Sequence, residues 1–180
     1  VPLITSKKMA WKTCIKELLW FISGKTDNKI LQAQNVHIWD GNGSREFLDS
    51  RGLRDNCEGD LGPVYGFQWR HWGETYSNSN GVYHGIDQLA QCEHMLKTDR
   101  YSRRIVMSAW NPSQISEMAL PPCHVLIQFY VDADECLWLQ FYQRSADMFL
   151  GVPFNMFSYS VLLHIMCQRT NLSPGGVCQC

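Results

Sequence analysis

The feature of this sequence that most limits the possible fold is a diproline, Pro121-Pro122, just before a long apolar run. Pro121 and Pro122 fix two φ angles and remove two backbone donors. Residues 125–131 follow as a nearly uninterrupted apolar run, which is typical of a buried strand. An acidic turn at 132–135 separates this run from a second one at 136–144, and the pair predicts a β-hairpin.

Cys123 lies between the two prolines and the first strand of this hairpin. A thiol that is held so rigidly at a strand entrance is a candidate nucleophile. The alternative is plain packing, because free cysteine usually behaves as a small hydrophobic residue.

Helices complete the predicted fold. Apolar residues follow helical spacing over 7–22 and 86–96, and residues 154–170 are so uniformly apolar that we expect a buried helix there. Residues 40–62 are rich in Gly, Asn and Asp and predict a loop, and residues 77–85 predict a surface loop. With a further strand at 105–110, the pattern indicates one α+β domain in which helices pack on a mixed or antiparallel β-sheet.

Composition sets broad limits on function. The 180 residues suit one domain, and the 45% hydrophobic content supplies a large core. A net charge of −1 gives no overall attraction to nucleic acid or to an anionic membrane, so a bound anion has to be held by local arginines. No apolar run approaches a membrane span, and the first residues lack the pattern of a signal peptide. The chain does not begin with Met, and we expect it to be a fragment.

The eight cysteines form no Cys-x-x-Cys pair, which argues against a zinc site or a thioredoxin-like motif. A chain with a large core does not need disulfides, so we expect reduced thiols and a cytoplasmic location. Cys178 and Cys180 could form half of a metal site, but no second pair exists. We therefore expect no bound metal.

Glu17 falls at the edge of the apolar stripe of the first predicted helix. The simpler interpretation is a solvated carboxylate. The alternative is a partly buried carboxylate whose raised pKa suits it to proton transfer.

Eight segments occur in a distinctive order and spacing, at 17–21, 38–40, 59–66, 103–105, 109–112, 119–124, 143–147 and 151–155. The set closely resembles thymidylate synthase. The resemblance runs from Val1 to about Gly175, so we predict a partial thymidylate synthase domain over 1–175 and a divergent tail over 176–180. The family continues with a sugar-binding Gly-Asp-x-His-x-Tyr segment and a closing tail. Because this chain lacks both, we expect the 180-residue chain to be inactive by itself.

The resemblance implies reductive methylation of dUMP to dTMP, with 5,10-methylenetetrahydrofolate as co-substrate and dihydrofolate as second product. Addition of a thiolate to C6 of uracil makes C5 nucleophilic, and cysteine suits this step better than serine. Cys123 would be that nucleophile. Arg144, Arg103 and Arg104 would bind the phosphate, with the last two donated by the other subunit of an obligate homodimer. A dihydrofolate reductase, fused or separate, is the further partner that the family implies.

Other roles follow from the same resemblance. Asn155 would read the uracil edge, while Glu17, Tyr65 and His124 would form a proton-transfer network. Ser145, Ala146 and Asp147 would contact the nucleotide, although Ser145 and Asp147 could instead cap the following turn. The residues assigned to the folate are Ile38, Trp39, Asn42, Leu120, Asp147, Leu150, Gly151 and Phe154.

Two other functions compete with this one. A pyrimidine hydroxymethyltransferase of the same superfamily would need Asp at the base-reading position, and Asn155 argues against it. An inactive, truncated dimerisation or RNA-binding module is the second alternative, and the lack of a basic composition gives RNA binding no support.

Overall fold

A computed structural model describes residues 9–180 of the chain. The first eight residues, where the family resemblance and the first predicted helix begin, lie outside the described residues. Within 9–180 the predicted α+β fold is confirmed, with helices packed on a four-stranded mixed sheet. Its helices are α1 Trp11–Ile22, α2 Asn28–Gln32, α3 Asp40–Gly43, α4 Arg45–Ser50, α5 Tyr65–His71, α6 Gln88–Thr98 and α7 Gly151–Thr170, with a short 3₁₀ helix at Ile115–Glu117.

The predicted hairpin forms the centre of the sheet. β2 (His124–Val131) pairs antiparallel with β3 (Cys136–Gln143), and β1 (Val106–Ser108) pairs antiparallel with β2. β4 (Ser173–Gln179) lies parallel to β3 at the far edge. Side chains alternate between the two faces, and those on the helix-covered face are buried: Ile127, Phe129, Val131, Leu137, Leu139 and Phe141.

The predicted buried helix is confirmed as α7, although it begins at Gly151 rather than at Phe154. It contacts α1, α6, β3 and β4. Leu162, Leu163 and Met166 of α7 join the main core with Leu18 and Phe21 of α1. This packing places α1 and the first turn of α7 beside each other at one end of the hairpin.

The loop predicted over 40–62 is wrong in part, because this segment contains α3 and α4. The Ser44 hydroxyl accepts a hydrogen bond from the backbone N–H of Phe47 at 3.2 Å and caps α4. Leu48 packs in the core with no exposed surface. A cap and one buried side chain therefore outweigh a composition that favours turns.

Gly62 positions α5. Its φ is +75°, and a Cβ at this position would lie 2.0 Å from the backbone carbonyl oxygen of Glu117. Only glycine fits such a conformation at so close an approach. The turn that it permits leads into α5, whose first residue, Tyr65, reaches the backbone that follows the two prolines.

Candidate active site

The register of the hairpin brings Cys123 and Arg144 together. His124 pairs with Gln143, so the residues just outside this pair face each other across the open end of β2 and β3. The backbone N–H of Arg144 donates to the carbonyl oxygen of Cys123 at 3.0 Å. Two residues that are 21 positions apart are thus fixed side by side by the strand ladder.

The diproline carbonyls orient the Arg144 side chain. Its Nε donates to the Pro122 carbonyl oxygen and its Nη2 to the Pro121 carbonyl oxygen, both at 2.8 Å. The guanidinium also lies over the ring of Trp110, 5.6 Å from its centroid, a cation–π contact. In this position Nη2 is 3.9 Å from Cys123 Sγ, so a fixed positive charge lies beside the thiol.

Tyr65 holds the backbone of the cysteine from the other side. Its hydroxyl oxygen accepts a hydrogen bond from the N–H of Cys123 at 2.7 Å and a longer one from the N–H of His124 at 3.4 Å. Burial, together with the nearby Cys123, raises the pKa of Tyr65 well above its ordinary value. The residue therefore stays a neutral phenol.

Glu17 projects from α1, and it is partly buried. Its Oε1 accepts a hydrogen bond from Nε1 of Trp39 at 2.7 Å. Burial raises the pKa of Glu17 to about 7, and the bond from Trp39 opposes this shift. Of the two interpretations of Glu17, the structure therefore favours a carboxylate that exchanges protons near neutral pH.

His124 and Asn155 face Glu17 across a narrow space. Burial lowers the pKa of His124 to about 4, and the neighbouring Asn155 opposes this shift, so the imidazole is neutral at pH 7. The side chain of Gln143 fixes the Asn155 amide, because Gln143 Nε2 donates to Asn155 Oδ1 at 3.1 Å. These groups line a cavity of about 10 Å³, whose walls are Glu17, Leu18, Phe21, Trp69, His124, Asn155, Ser158 and Tyr159.

The segment between β3 and α7 carries three of the expected nucleotide contacts. Ser145, Ala146 and Asp147 are all exposed next to Arg144. Asp147 Oδ1 accepts the backbone N–H groups of Phe149 and Leu150 at 2.9 and 2.6 Å. Asp147 thus makes the turn-capping bonds of the simpler interpretation, and the residue is exposed.

Arg103 and Arg104 are exposed, and they do not join Arg144 within this chain. Arg103 instead lines a groove of about 520 Å³ on the sheet face opposite the helices, together with Tyr130 and Trp138. The family resemblance implies that both arginines enter the site of the other subunit of a homodimer, and this stays a prediction.

The residues expected to bind the folate differ in their exposure. Ile38 and Leu150 are 52% and 58% exposed, and Leu120, Phe154 and Gly151 are partly buried. Trp39 is only 7% exposed because its ring packs against Trp20 and Tyr65. Asn42 is partly buried within α3.

Sequence reasoning missed several residues that the structure adds to this site. Met148 and Phe149, which are 77% and 72% exposed, extend the apolar surface of Leu150. Ser158 and Tyr159 line the small cavity, and their spacing of three and four residues from Asn155 could have revealed them, since such positions share one helix face. Trp110 lies in a motif that was recognised, but its contact with Arg144 had no sequence signal.

Within residues 9–180, no group of three or more His, Cys, Asp and Glu side chains is arranged to hold a metal ion. All eight cysteines fall within this range and are free thiols. No helix in the described part of the chain is long and apolar enough to cross a membrane.

Comparison with known proteins gives a consistent family assignment. The chain is 55% identical to a bifunctional dihydrofolate reductase-thymidylate synthase of Zea mays, 54% to a thymidylate synthase of Human herpesvirus 8 and 53% to one of Ascaris suum. Each alignment covers 97% of this chain but only 34%, 52% and 60% of the respective relative. The thymidylate synthase family model matches residues 1–180. The chain therefore belongs to the thymidylate synthase family.

Proposed function

We propose that the intact protein containing this chain is a thymidylate synthase that converts dUMP to dTMP with 5,10-methylenetetrahydrofolate. The observation that carries the proposal is the setting of Cys123. Its sulfur lies beside Arg144, and its backbone is fixed by Tyr65. Such a thiol lies beside a fixed cation, is oriented and is partly accessible, which suits it to addition to a pyrimidine ring.

In this proposal the Cys123 thiolate adds to C6 of the uracil ring, and electron density moves toward C5 and O4. Asn155 reads the base, because its amide offers one donor and one acceptor to O4 and N3–H. Gln143 keeps that amide in one orientation through the bond to Oδ1. A fixed amide stabilises the developing charge without having to reorganise.

Glu17 and His124 have different roles in the proton transfers. With a pKa of about 7, Glu17 can accept and return a proton at neutral pH, which is the property that a general acid and base needs. His124 has a pKa of about 4 and stays neutral, so it orients hydrogen bonds and does not carry charge. Trp39 holds the Glu17 carboxyl in place through its indole N–H.

The co-substrate would bind against exposed apolar side chains. Ile38, Met148, Phe149 and Leu150 offer an apolar surface beside the site, and a planar ring system fits such a surface. The folate, when it is bound, supplies the one-carbon unit and the hydride. Asp147, Asn42 and Trp39 would lie around it, and the apolar walls would exclude water from the reacting atoms.

Phosphate binding in this proposal needs two copies of the chain. Arg144 supplies one guanidinium, and Arg103 and Arg104 of a second copy supply two more. The outer face of the sheet supports such a homodimer, because Leu126, Tyr130, Trp138 and Tyr142 are exposed there. Exposed aromatic side chains of this kind are typical of the centre of a protein interface.

The proposed reaction implies a partner enzyme, and the free thiols indicate a cellular compartment. Dihydrofolate has to be reduced again, so a dihydrofolate reductase, fused or separate, would act on this product. The relative from Zea mays carries both names. Eight free thiols support a reducing compartment, and we place the protein in the cytoplasm.

The proposal is tested by assaying the intact protein with dUMP and 5,10-methylenetetrahydrofolate and measuring dTMP and dihydrofolate together. We expect equal amounts of the two products and no turnover by Cys123→Ser. Cys57→Ser is the matched control, because Cys57 is an exposed free thiol that is not among the residues assigned to the site. Formation of 5-hydroxymethylated pyrimidine without dihydrofolate would instead identify a hydroxymethyltransferase.

A further inference from the structure

Two polar atoms beside the site are buried and have no hydrogen-bond partner among residues 9–180. They are the hydroxyl oxygen of Tyr159 and Nδ1 of His124. Tyr159 is 2% exposed, with its ring stacked on Phe141 at 4.2 Å between centroids. The same ring meets His124 edge-on at 5.3 Å. A buried polar atom without a partner is costly and rare in a native protein, so each atom calls for an explanation.

Both residues line the same small cavity, together with Glu17, Asn155 and Ser158. Its volume of about 10 Å³ is close to the minimum that one water molecule requires. Tyr159, His124 and Glu17 in this wall carry a phenol hydroxyl, an imidazole nitrogen and a carboxyl, and a buried water needs two to four polar partners of this kind.

We propose that Tyr159 is a positioning residue, whose hydroxyl holds one water molecule against Nδ1 of His124. Tyr159 donates to the water oxygen, and the water donates one hydrogen to Nδ1 and the other to Glu17. Burial, with Tyr65 and Glu17 nearby, raises the pKa of Tyr159 well above its ordinary value. The phenol is therefore always a donor.

This arrangement determines the tautomer of His124. A nitrogen that accepts a hydrogen bond from water carries no proton, so the ring proton lies on Nε2. The water site depends only on the buried atoms, whereas its consequence for proton transfer rests on the proposed function. Tyr159 would act on the reaction through the His124 ring and would not touch the substrate.

The experiment compares the intact protein with its Tyr159→Phe variant by ¹⁵N NMR of labelled histidine at pH 7.5. We expect His124 in the Nε2–H form in the unmodified protein and a mixture of tautomers in the variant, whose melting temperature falls. Tyr101→Phe, at an exposed tyrosine, should leave the His124 signals unchanged. A crystal structure at high resolution should show one water within hydrogen-bond distance of both orphan atoms.

Three results would overturn the proposal. An Nδ1–H tautomer in the unmodified protein excludes the water bond without any variant. A higher melting temperature of Tyr159→Phe, with the tautomer unchanged, means that the hydroxyl is simply unpaired, since its removal then relieves a penalty. A crystal structure that shows no water at this site would also mean that the Tyr159 hydroxyl is unpaired. Absence of dUMP turnover with the expected tautomer would reject the proposed function and leave the water site intact.

Discussion

The hydroxyl oxygen of Tyr65 lies 2.7 Å from the backbone nitrogen of Cys123 and accepts its hydrogen bond. Tyr65 starts α5, whereas Cys123 ends the diproline segment, so this one bond joins the helical layer to the open end of the hairpin. A residue placed after two prolines has few backbone bonds that could fix it. The bond to Tyr65, together with the bond from the Arg144 N–H to the Cys123 carbonyl oxygen, therefore fixes the backbone that carries the thiol.

Tyr65→Phe should leave the backbone of Cys123 less firmly held. The variant leaves the Cys123 N–H without an acceptor, and we expect it to lower the free energy of unfolding by about 1–3 kcal/mol. Urea denaturation measures this change. Formation of the covalent complex with 5-fluoro-dUMP and methylenetetrahydrofolate should slow at least about tenfold, as expected for a misplaced reacting group. An unchanged rate would show that Tyr65 does not position the thiol.

Cys123 should be the only cysteine that forms this covalent complex. The positive charge of Arg144 beside its sulfur distinguishes it from the other seven thiols of the chain. Peptide mass spectrometry of the trapped complex locates the modified residue. An adduct on the exposed Cys57 or Cys178 would refute the assignment, and Cys57→Ser should still form the complex in full yield.

Asn155→Asp should weaken the discrimination between uracil and cytosine. The amide accepts a bond from Gln143 and presents a donor and an acceptor to the base, whereas a carboxylate presents acceptors only. The expected shift in relative affinity for dUMP and dCMP is about 1–3 kcal/mol, the cost of one mispaired buried polar group. Calorimetric titration with each nucleotide measures it. Asn155→Ala, as the control, should weaken both without favouring dCMP.

Glu17→Gln should change how stability depends on pH. The pKa of Glu17 is raised from 4.5 to about 7, so the folded protein favours the protonated form. Ionisation of the buried carboxyl destabilises the folded protein. This effect is absent below pH 4.5 and grows until the pH exceeds 7. As the pH rises from 4.5 to 8, the free energy of unfolding of Glu17→Gln should therefore increase by up to about 3 kcal/mol relative to that of the unmodified protein.

Urea denaturation of both proteins at several pH values measures this difference. The opposite titration of His124, whose pKa is lowered, occurs in both proteins and cancels. Glu58→Gln is the control for the replacement of a carboxylate by an amide, because Glu58 is exposed. A stability difference between Glu17→Gln and the unmodified protein that does not change with pH would mean that the Glu17 carboxyl is solvated. Turnover by this variant should fall whatever its stability.

Mixed dimers should recover activity from two inactive variants. Cys123→Ser lacks the nucleophile, and a double variant with Arg103→Ala and Arg104→Ala lacks the donated arginines. If the arginines cross the interface, random mixing gives about a quarter of the original number of complete sites, since half of the dimers are mixed and each has one such site. Turnover assays before and after mixing measure the recovery. No recovery, with mixed dimers shown by native mass spectrometry, would place the arginines in their own subunit's site.

Strongly periodic segments made the fold predictable. The hairpin and α7 follow from unbroken apolar patterns, whereas β4 carries Pro174, Gly175 and Gly176, which are poor strand formers. The structure explains this strand through a tertiary contact. A Cβ at Gly175 or Gly176 would lie 2.6–2.7 Å from the Trp138 ring, so the glycines make room for an indole from the neighbouring strand. The strand propensities of these residues do not depend on Trp138, so they could not predict this strand.

The site was predictable where its residues lie in recognised motifs, and less so where packing decides. Cys123 and Arg144 could be expected to meet because their strands form one hairpin. The orientation of Arg144 by two proline carbonyls could not be read from a sequence, and neither could the contact between Tyr159 and His124. The hydrogen bond that holds the Glu17 carboxyl comes from Trp39, which lies 22 positions away and outside α1.

The hairpin register also sets which changes in chain length the site can survive. Cys123 and Arg144 lie at the open end of β2 and β3, and the turn at 132–135 lies at the other end. Extra residues in that turn would lengthen the closed end and leave the two residues paired. A single residue lost from either strand would slip the ladder and turn its side chains to the opposite face. We therefore expect natural variants to differ in the length of this turn while keeping the lengths of β2 and β3.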